Sequence, residues 1–309
     1  MDALSAVLRT VYPRGRVYCR TELGPPWGME FPSGPKAYFH VVLRGVCRLR
    51  LGQSDVVDLR PGDLALLPHG SGHRLLDGQG SAAVPLDRFW REGPASHGSR
   101  VLRLGVGPVE TELICGAFEL DQPEDHPLIA LLPPCIVAPG EGGETAPWLS
   151  ATLQQLANEM RQARPGAELL IARFLDVILV QTVRVWLETQ PLERPSWLGA
   201  LRDPDLGMVL GLMHGAPDRP WTVATLAAEV AMSRSVFAQR FKALVGEPPL
   251  VYLTNWRLSM AAQWLRTERG PVLEIALRAG YGSEAAFSKA FKRRFGLSPI
   301  AYRRQWRAA

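Results

Sequence analysis

The chain has 309 residues, 47% hydrophobic and 21% charged, which allows two globular domains with separate cores and excludes a disordered protein. A membrane span is not expected, because the most apolar stretch, Leu169 to Leu187, is interrupted by Arg173, Asp176, Gln181 and Arg184. The net charge of +5 is unevenly placed: residues 200–309 carry 16 Lys/Arg against 8 Asp/Glu, and residues 1–199 carry 19 against 22. A basic half joined to a slightly acidic one points to a polyanion as the partner of the former.

Met1 to Val11 lacks a basic stretch leading into an apolar core, so no secretory signal is expected. The cysteines at 19, 47, 115 and 135 form no CxxC pair, which argues against a zinc knuckle or a disulfide scaffold and for a reducing cytoplasm. From residue 38 to about 120 the chain reads as strands. Tyr38 to Leu43 is β-rich, and Cys47, Leu49 and Leu51 alternate with Arg48 and Arg50. Turns follow at Gly52–Asp55, Arg60–Asp63 and His69–Gly72, a spacing that predicts an antiparallel barrel or sandwich. Asp77 to Ser99 reads as a loop. From Pro147 the period becomes helical, with Leu149, Leu153, Leu156 and Met160 on one stripe. A second helix, Ala167 to Leu187, is apolar around much of its circumference through Leu169, Leu170, Phe174, Ile178, Val185 and Trp186. It requires a cover, either the sheet or a second subunit.

An internal repeat dominates the remainder. Ser233, Phe237, Phe241, Lys242, Gly246, Pro249 and Tyr252 recur 50 residues later as Ser283, Phe287, Phe291, Lys292, Gly296, Pro299 and Tyr302. Upstream, Leu226-Ala227 and Val230-Ala231 match Ile275-Ala276 and Ala279-Gly280 at a displacement of 49. Each copy predicts a helix-turn-helix: a short helix, a turn of small residues, a serine N-cap, a helix burying Phe237, Phe241 and Leu244 or their equivalents, and a glycine C-cap. The opposite faces offer Arg234, Ser235, Ala238, Gln239 and Lys242, and Glu284, Ala285, Ser288, Lys289 and Lys292. Such a helix fits the DNA major groove, where Gln and Lys read base edges and Lys or Arg meet phosphates. Val251 to Thr267 reads as a rigid linker helix able to hold the two reading helices about one DNA turn apart.

These residues resemble the DNA-binding domain of AraC/XylS-type transcription regulators over positions 205–305, the second copy most closely, from Ile275-Ala276 to Tyr302-Arg303. The resemblance implies base contacts from Ser235, Ala238, Gln239, Ala285, Ser288 and Lys289; Arg234 and Lys292 are expected to serve affinity, and Gln239 and Lys289 specificity. The N-terminal half resembles the cupin-like sensor of part of that family through Phe39-His40-Val41-Val42 and Gly45, and through Pro61-Gly62-Asp63, Leu67-Pro68, Gly70 and His73. The fold expected is therefore α+β. A cupin-like antiparallel β-barrel with trailing, dimerising helices occupies 1–190, a linker 191–204, and an all-α domain with two helix-turn-helix units 205–309.

Three signals compete for the sensor. His40 and His73, with His69 nearby in sequence, are candidates for a metal ion, although position 38 is Tyr where a metal cupin usually has the first His of an HxH pair. Cys19 lies beside Arg16 and Arg20 in sequence, a setting that favours thiolate, and the resemblance suggests a Cys19–Cys115 redox switch. A small organic effector in the barrel is the third. No carboxylate pair, nucleophile motif or phosphate loop supports an enzyme. The expected partners are double-stranded DNA, a second copy of the chain and RNA polymerase, with no membrane.

Overall fold

The computed structural model describes residues 4–5, 7–8, 14–52, 55–86, 101–119, 128–140, 146–162, 164–189 and 195–307. Two compact units emerge: Pro13–Glu124 with Leu132–Gln190, and Met1–Tyr12 with Asp125–Leu131 and Pro191–Ala309.

The first unit holds two sheets. Its strands are β1 (Arg14–Leu23), β2 (Gly28–Phe31), β3 (Lys36–Arg44), β4 (Cys47–Leu51), β5 (Asp55–Leu59), β6 (Leu64–Leu67), β7 (His73–Leu76), β8 (Val84–Pro85), β9 (Val101–Leu104), β10 (Thr111–Glu119) and β11 (Ile136–Ala138). One sheet runs β11-β6-β3-β10-β1-β9 and the other β5-β4-β7-β2-β8. Pairing is antiparallel except at β1/β9 and β2/β8. Strand alternation sends Cys19, Leu23, Met29, Phe31, Tyr38, Val42, Cys47, Leu49, Leu113 and Cys115 into one apolar interior. Charges stay outside, where Arg48 meets Asp58 at 3.1 Å.

Two strands precede the stretch read as β from sequence. β1 carries the alternation of a strand only from Cys19 onward, with Cys19, Thr21 and Leu23 inward between Arg20 and Glu22, because a bulge after Val17 reverses the faces. Arg20 meets Glu112 at 2.7 Å, and Arg103 meets Glu22 at 2.8 Å. The expected loop from Asp77 contains the two-residue β8, and its part from 87 to 99 lies outside the described residues.

Two helices close this unit, α1 (Ala146–Gln162) and α2 (Ala167–Thr189). The stripe Leu149, Leu153, Leu156 and Met160 is buried, as the period predicts. α2 packs on α1, β1 and β11, burying Ile171, Leu175, Ile178, Leu179 and Val183. The approach is close at Gly15, where a Cβ would stand 2.7 Å from Leu175 Cβ. Leu169 and Leu170, grouped from sequence with the residues needing cover, are not covered by the sheet and stand exposed on the single chain, as does Val177.

The second unit carries α3 (Trp197–Ala200), α4 (Pro204–Gly215), α5 (Val223–Glu229), α6 (Arg234–Val245), α7 (Pro249–Thr267), α8 (Val272–Arg278), α9 (Glu284–Phe295) and α10 (Pro299–Arg307). Part of the segment read as linker is thus helical. Ser196 caps α3 and its N–H donates to Leu244 O at 2.8 Å, while Trp197 and Leu198 are buried. The two helix-turn-helix copies are α5–α6 and α8–α9, with α7 between them. Ser233 accepts from Val236 N at 3.4 Å and Ser283 from Ala286 N at 3.2 Å. Gly246 and Gly296 end α6 and α9 with φ of +96° and +74°. Phe237, Phe241, Phe287 and Phe291 are fully buried. Leu244 is only half-buried, and Val245 takes the inner place assigned to it.

The turns inside the two copies share one hydrogen-bond pattern. Met232 N donates to Ala227 O at 3.0 Å, and Tyr281 N to Ala276 O at 2.9 Å, the long closure of a Schellman turn. That turn needs a left-handed residue, supplied by Ala231 with φ +51° and by Gly280 with φ +76°. A side chain in this region costs roughly 1–2 kcal/mol, against about 0.4–1 kcal/mol for the greater chain entropy of unfolded glycine. Ala231→Gly should therefore raise the thermal stability of the helical unit by about 0.5–1 kcal/mol. Gly280→Ala should lower it, since the added Cβ would stand 2.9 Å from the Arg257 guanidinium carbon.

Candidate nucleic-acid interface and barrel interior

On α6 and α9 the buried phenylalanines decide which residues face outward. With Phe237 and Phe241 inward, Arg234, Ser235, Gln239 and Lys242 are exposed and Ala238 is half-buried. On α9, Ala285, Lys289 and Lys292 are exposed and Ser288 is half-buried. Each helix thus presents a small, polar and basic strip, of a size and charge that suit a DNA groove with phosphates at its rim.

The sequence did not separate these cations from two others on the same helices. Arg240 turns away from the strip and pairs with Asp203 and, at 2.9 Å, with Asp205 at the start of α4. Arg294 reaches α7, donating to Asn255 Oδ1 at 3.0 Å. The signal available was the phenylalanine period, which places 240 and 294 beside the buried face.

In the barrel, His40 on β3 and His73 on β7 meet with their Nε2 atoms 2.7 Å apart. His73 Nδ1 lies 2.8 Å from Ser71 O and must donate to it, so neutral His73 accepts at Nε2 from His40. His40 Nδ1 is then deprotonated, and it is buried without a hydrogen-bond partner. Phe31 stacks on His73 with ring centroids 4.6 Å apart, and Tyr38 stands edge-on to it. His69 does not join them; its Nε2 lies 2.8 Å from Leu132 O.

The donor set does not fit a metal. Tyr38 replaces the missing histidine and points its hydroxyl to Pro32 O at 3.0 Å. Among the described residues no three His, Cys, Asp or Glu side chains are grouped as ligands would be.

The thiols are brought together. Cys19 on β1 pairs in register with Cys115 on β10, and Cys115 pairs with His40 on β3. All three side chains face the interior and are buried. The hydrogen bond that the Cys115 thiol donates to Cys19, together with burial, holds it well above its ordinary pKa, and burial pushes Cys47 up to about 12. The sequence argument from Arg16 and Arg20 does not hold: Arg20 lies on the face opposite Cys19 and pairs with Glu112, and Arg16, beyond a bulge in β1, is exposed and pairs with Glu119.

The chain matches a family model described as Cupin over residues 2–188 and one described as a helix-turn-helix domain over residues 226–305. It is 38% identical to an AraC-like transcription regulator of Streptomyces lividans, over 98% of each chain. It is 32% identical to the RCS-specific HTH-type transcriptional activator RclR of Escherichia coli strain K12, over 99% of each chain. It is 31% identical to the HTH-type transcriptional regulator AlkR of Acinetobacter baylyi, over 99% of this chain and all of that one. Among solved structures, the DNA-binding domain of AdpA in complex with a target DNA is 37% identical, covering 34% of this chain and 94% of that one with a TM-score of 0.32. Among the described residues no helix is long and apolar enough to cross a membrane.

The histidine pair sets an acid limit on the barrel. Burial, then the nearby His73, holds His40 well below the ordinary imidazole pKa. Burial likewise lowers His73 to about 4, against the opposing hydrogen bond to Ser71. Both groups bind protons more readily unfolded, near pH 6.5, than folded. Their contribution is fully present above about pH 6.5 and is lost as the pH falls towards 4, at about 1.4 kcal/mol per pH unit for each titrating histidine. Denaturant unfolding of the barrel at pH 7.5, 6 and 5 should follow that slope, and His73→Phe should make it shallower.

Proposed function

The chain belongs to the AraC-like, DNA-binding transcription regulators, and we propose that its barrel makes DNA binding responsive to oxidation through Cys19 and Cys115. The observation that carries this reading is the register of β1 and β10, which sets the two thiols side by side across neighbouring strands. Facing residues on antiparallel strands have Cα atoms about 4.5–5.5 Å apart, inside the range a disulfide spans. Both thiols are buried, and the Cys115 thiolate is disfavoured, so a small neutral two-electron oxidant suits the site better than a bulky or charged one. With hypochlorous acid the two S–H bonds and the O–Cl bond break and an S–S bond forms. The thiol sulfurs are oxidised, chlorine leaves reduced as chloride, and the hydrogens leave as water and a proton. The RCS-specific description of one relative agrees with this choice. A bond here draws β1 against β10 beneath α2, which rests on β1 at Gly15.

In this reading the signal alters how the helical unit occupies a promoter in the cytoplasm, beside RNA polymerase. The exposed Leu169, Leu170 and Val177 of α2 serve as the face for a second copy. Ser235, Ala238 and Gln239 read bases in one half-site and Ala285, Ser288 and Lys289 in the other. Arg234, Lys242 and Lys292 neutralise phosphates.

Two measurements test these assignments on the full chain, with a duplex selected by it from random sequence. Gln239→Ala should relax the preference at one base pair, by about 1–3 kcal/mol, and leave the salt slope unchanged, whereas Lys292→Ala should lower the slope by about one and weaken all sequences alike. Mild hypochlorite should produce a Cys19–Cys115 peptide together with changed duplex affinity, and Cys19→Ser should abolish both. A bond that forms without changing affinity would refute the switch.

A further inference from the structure

The two reading helices are tied to one another across α7 by polar contacts that neither the phenylalanine cores nor the DNA-facing strips require. On one side, Asn255 of α7 donates from Nδ2 to Glu247 Oε2 at 2.9 Å, at the corner where α6 gives way to α7. The same residue accepts at Oδ1 from Arg294 Nη1 of α9 at 3.0 Å, and Arg294 Nη2 lies 3.4 Å from Ser259 Oγ one turn along α7. Asn255 thus joins the end of the first reading helix to the end of the second. On the other side, Arg257 of α7 donates from Nε to Pro217 O at 2.6 Å and from Nη2 to Arg219 O at 2.8 Å, in the segment leading into α5. Its guanidinium also lies against Gly280, in the turn between α8 and α9, so closely that a Cβ there would stand 2.9 Å away.

The repeat supports a special purpose for these residues. Arg294 stands where the first copy has Leu244, and Glu247 where the second has Leu297. The copies agree in what each buries and differ where one faces the other.

We propose that Asn255 with Arg294, and Arg257 against Gly280, are positioning residues that set the distance and rotation between the reading helices, and so the half-site spacing this regulator accepts. The proposal rests on both helices reading DNA. Each base pair inserted between half-sites moves the second by about 3.4 Å and roughly 35°. A braced reader cannot follow that step, and a loosened one can.

The test uses the full chain and a duplex it selects from random sequence, with variants of that duplex carrying one or two extra base pairs between the protected halves. Arg294→Leu, which installs the residue of the first copy, and Asn255→Ala are compared with the parent. The parent should lose at least about 30-fold in affinity on insertion, as contacts to one half-site are given up. The variants should bind the original duplex within about threefold of the parent and lose at least about threefold less on insertion. Arg294→Lys should restore part of the discrimination. Equal weakening on every spacing would make Arg294 a phosphate contact and overturn the proposal, as would an unchanged insertion penalty in both variants. A footprint covering one half-site only would overturn the two-helix reading itself, and the positioning role with it.

Discussion

Each reading helix is organised by a pair of phenylalanines one turn apart, Phe237 with Phe241 and Phe287 with Phe291, with ring centroids 5.7 and 5.4 Å apart. A helix of 12 residues has little stability alone, so its position is set by what that one face buries. Once the rings are inside, the helix has no rotational freedom left, and the residues on the far side are fixed in direction to within a fraction of a turn. Function depends on this: a base-reading side chain must be held to a small tolerance, and the tolerance comes from the buried face. The same rule turns Arg240 and Arg294 into internal ties while Lys242 and Lys292 stay outside.

The barrel obeys the pleat of the strand in the same way. A residue facing inward on β10 must be matched by inward residues at the same level on β1 and β3, so Cys115 has Cys19 on one side and His40 on the other. Two titratable chemistries, thiol and imidazole, are thereby brought into one row of an apolar interior. The hydrogen bond to Cys19 and then burial raise the thiol of Cys115, and burial lowers the imidazoles of His40 and His73, which keeps these three neutral near pH 7. A neutral row costs the barrel little until an oxidant or a proton arrives, and either one introduces something the interior was not built to hold.

The helical half was largely legible in the sequence because its determinants are local. A serine cap, a phenylalanine period and a closing glycine lie within 14 residues, and the repeat displays the pattern twice. The barrel was half legible. Strands with unbroken apolar alternation, such as β4, announced themselves, but in β1 a bulge between Val17 and Cys19 interrupts the period. Distance in sequence also hid the meaning of the cysteines. Arg16 and Arg20 looked like activators of Cys19 as chain neighbours, yet the strand sends Arg20 to the opposite face and the bulge carries Arg16 away to Glu119. The true neighbours of Cys19 are set by strand order, which periodicity does not contain.

What the repeat could not reveal is how the copies differ in use. α7 is to the first copy what α10 is to the second: the helix after the glycine cap, whose tyrosine, Tyr252 or Tyr302, packs on the second phenylalanine of the pair. α10 serves the second core, in which Tyr302 is buried. α7 serves that core as well, because its far half buries Leu258, Ala261, Ala262 and Leu265 against α8 and α9. One continuous helix therefore belongs to two cores, and any side chain on it that bridges them acts on both reading heads at once. The tyrosines show the same divergence: Tyr252 meets His214 at 2.6 Å, within the first copy's own surroundings, whereas Tyr302 accepts from Arg266 of α7 at 2.8 Å. The second copy is anchored to the shared helix, and the first is anchored to the helices that precede it. A rigid reader built from two similar parts needs this asymmetry, since identical copies displaced along a chain cannot both occupy its middle.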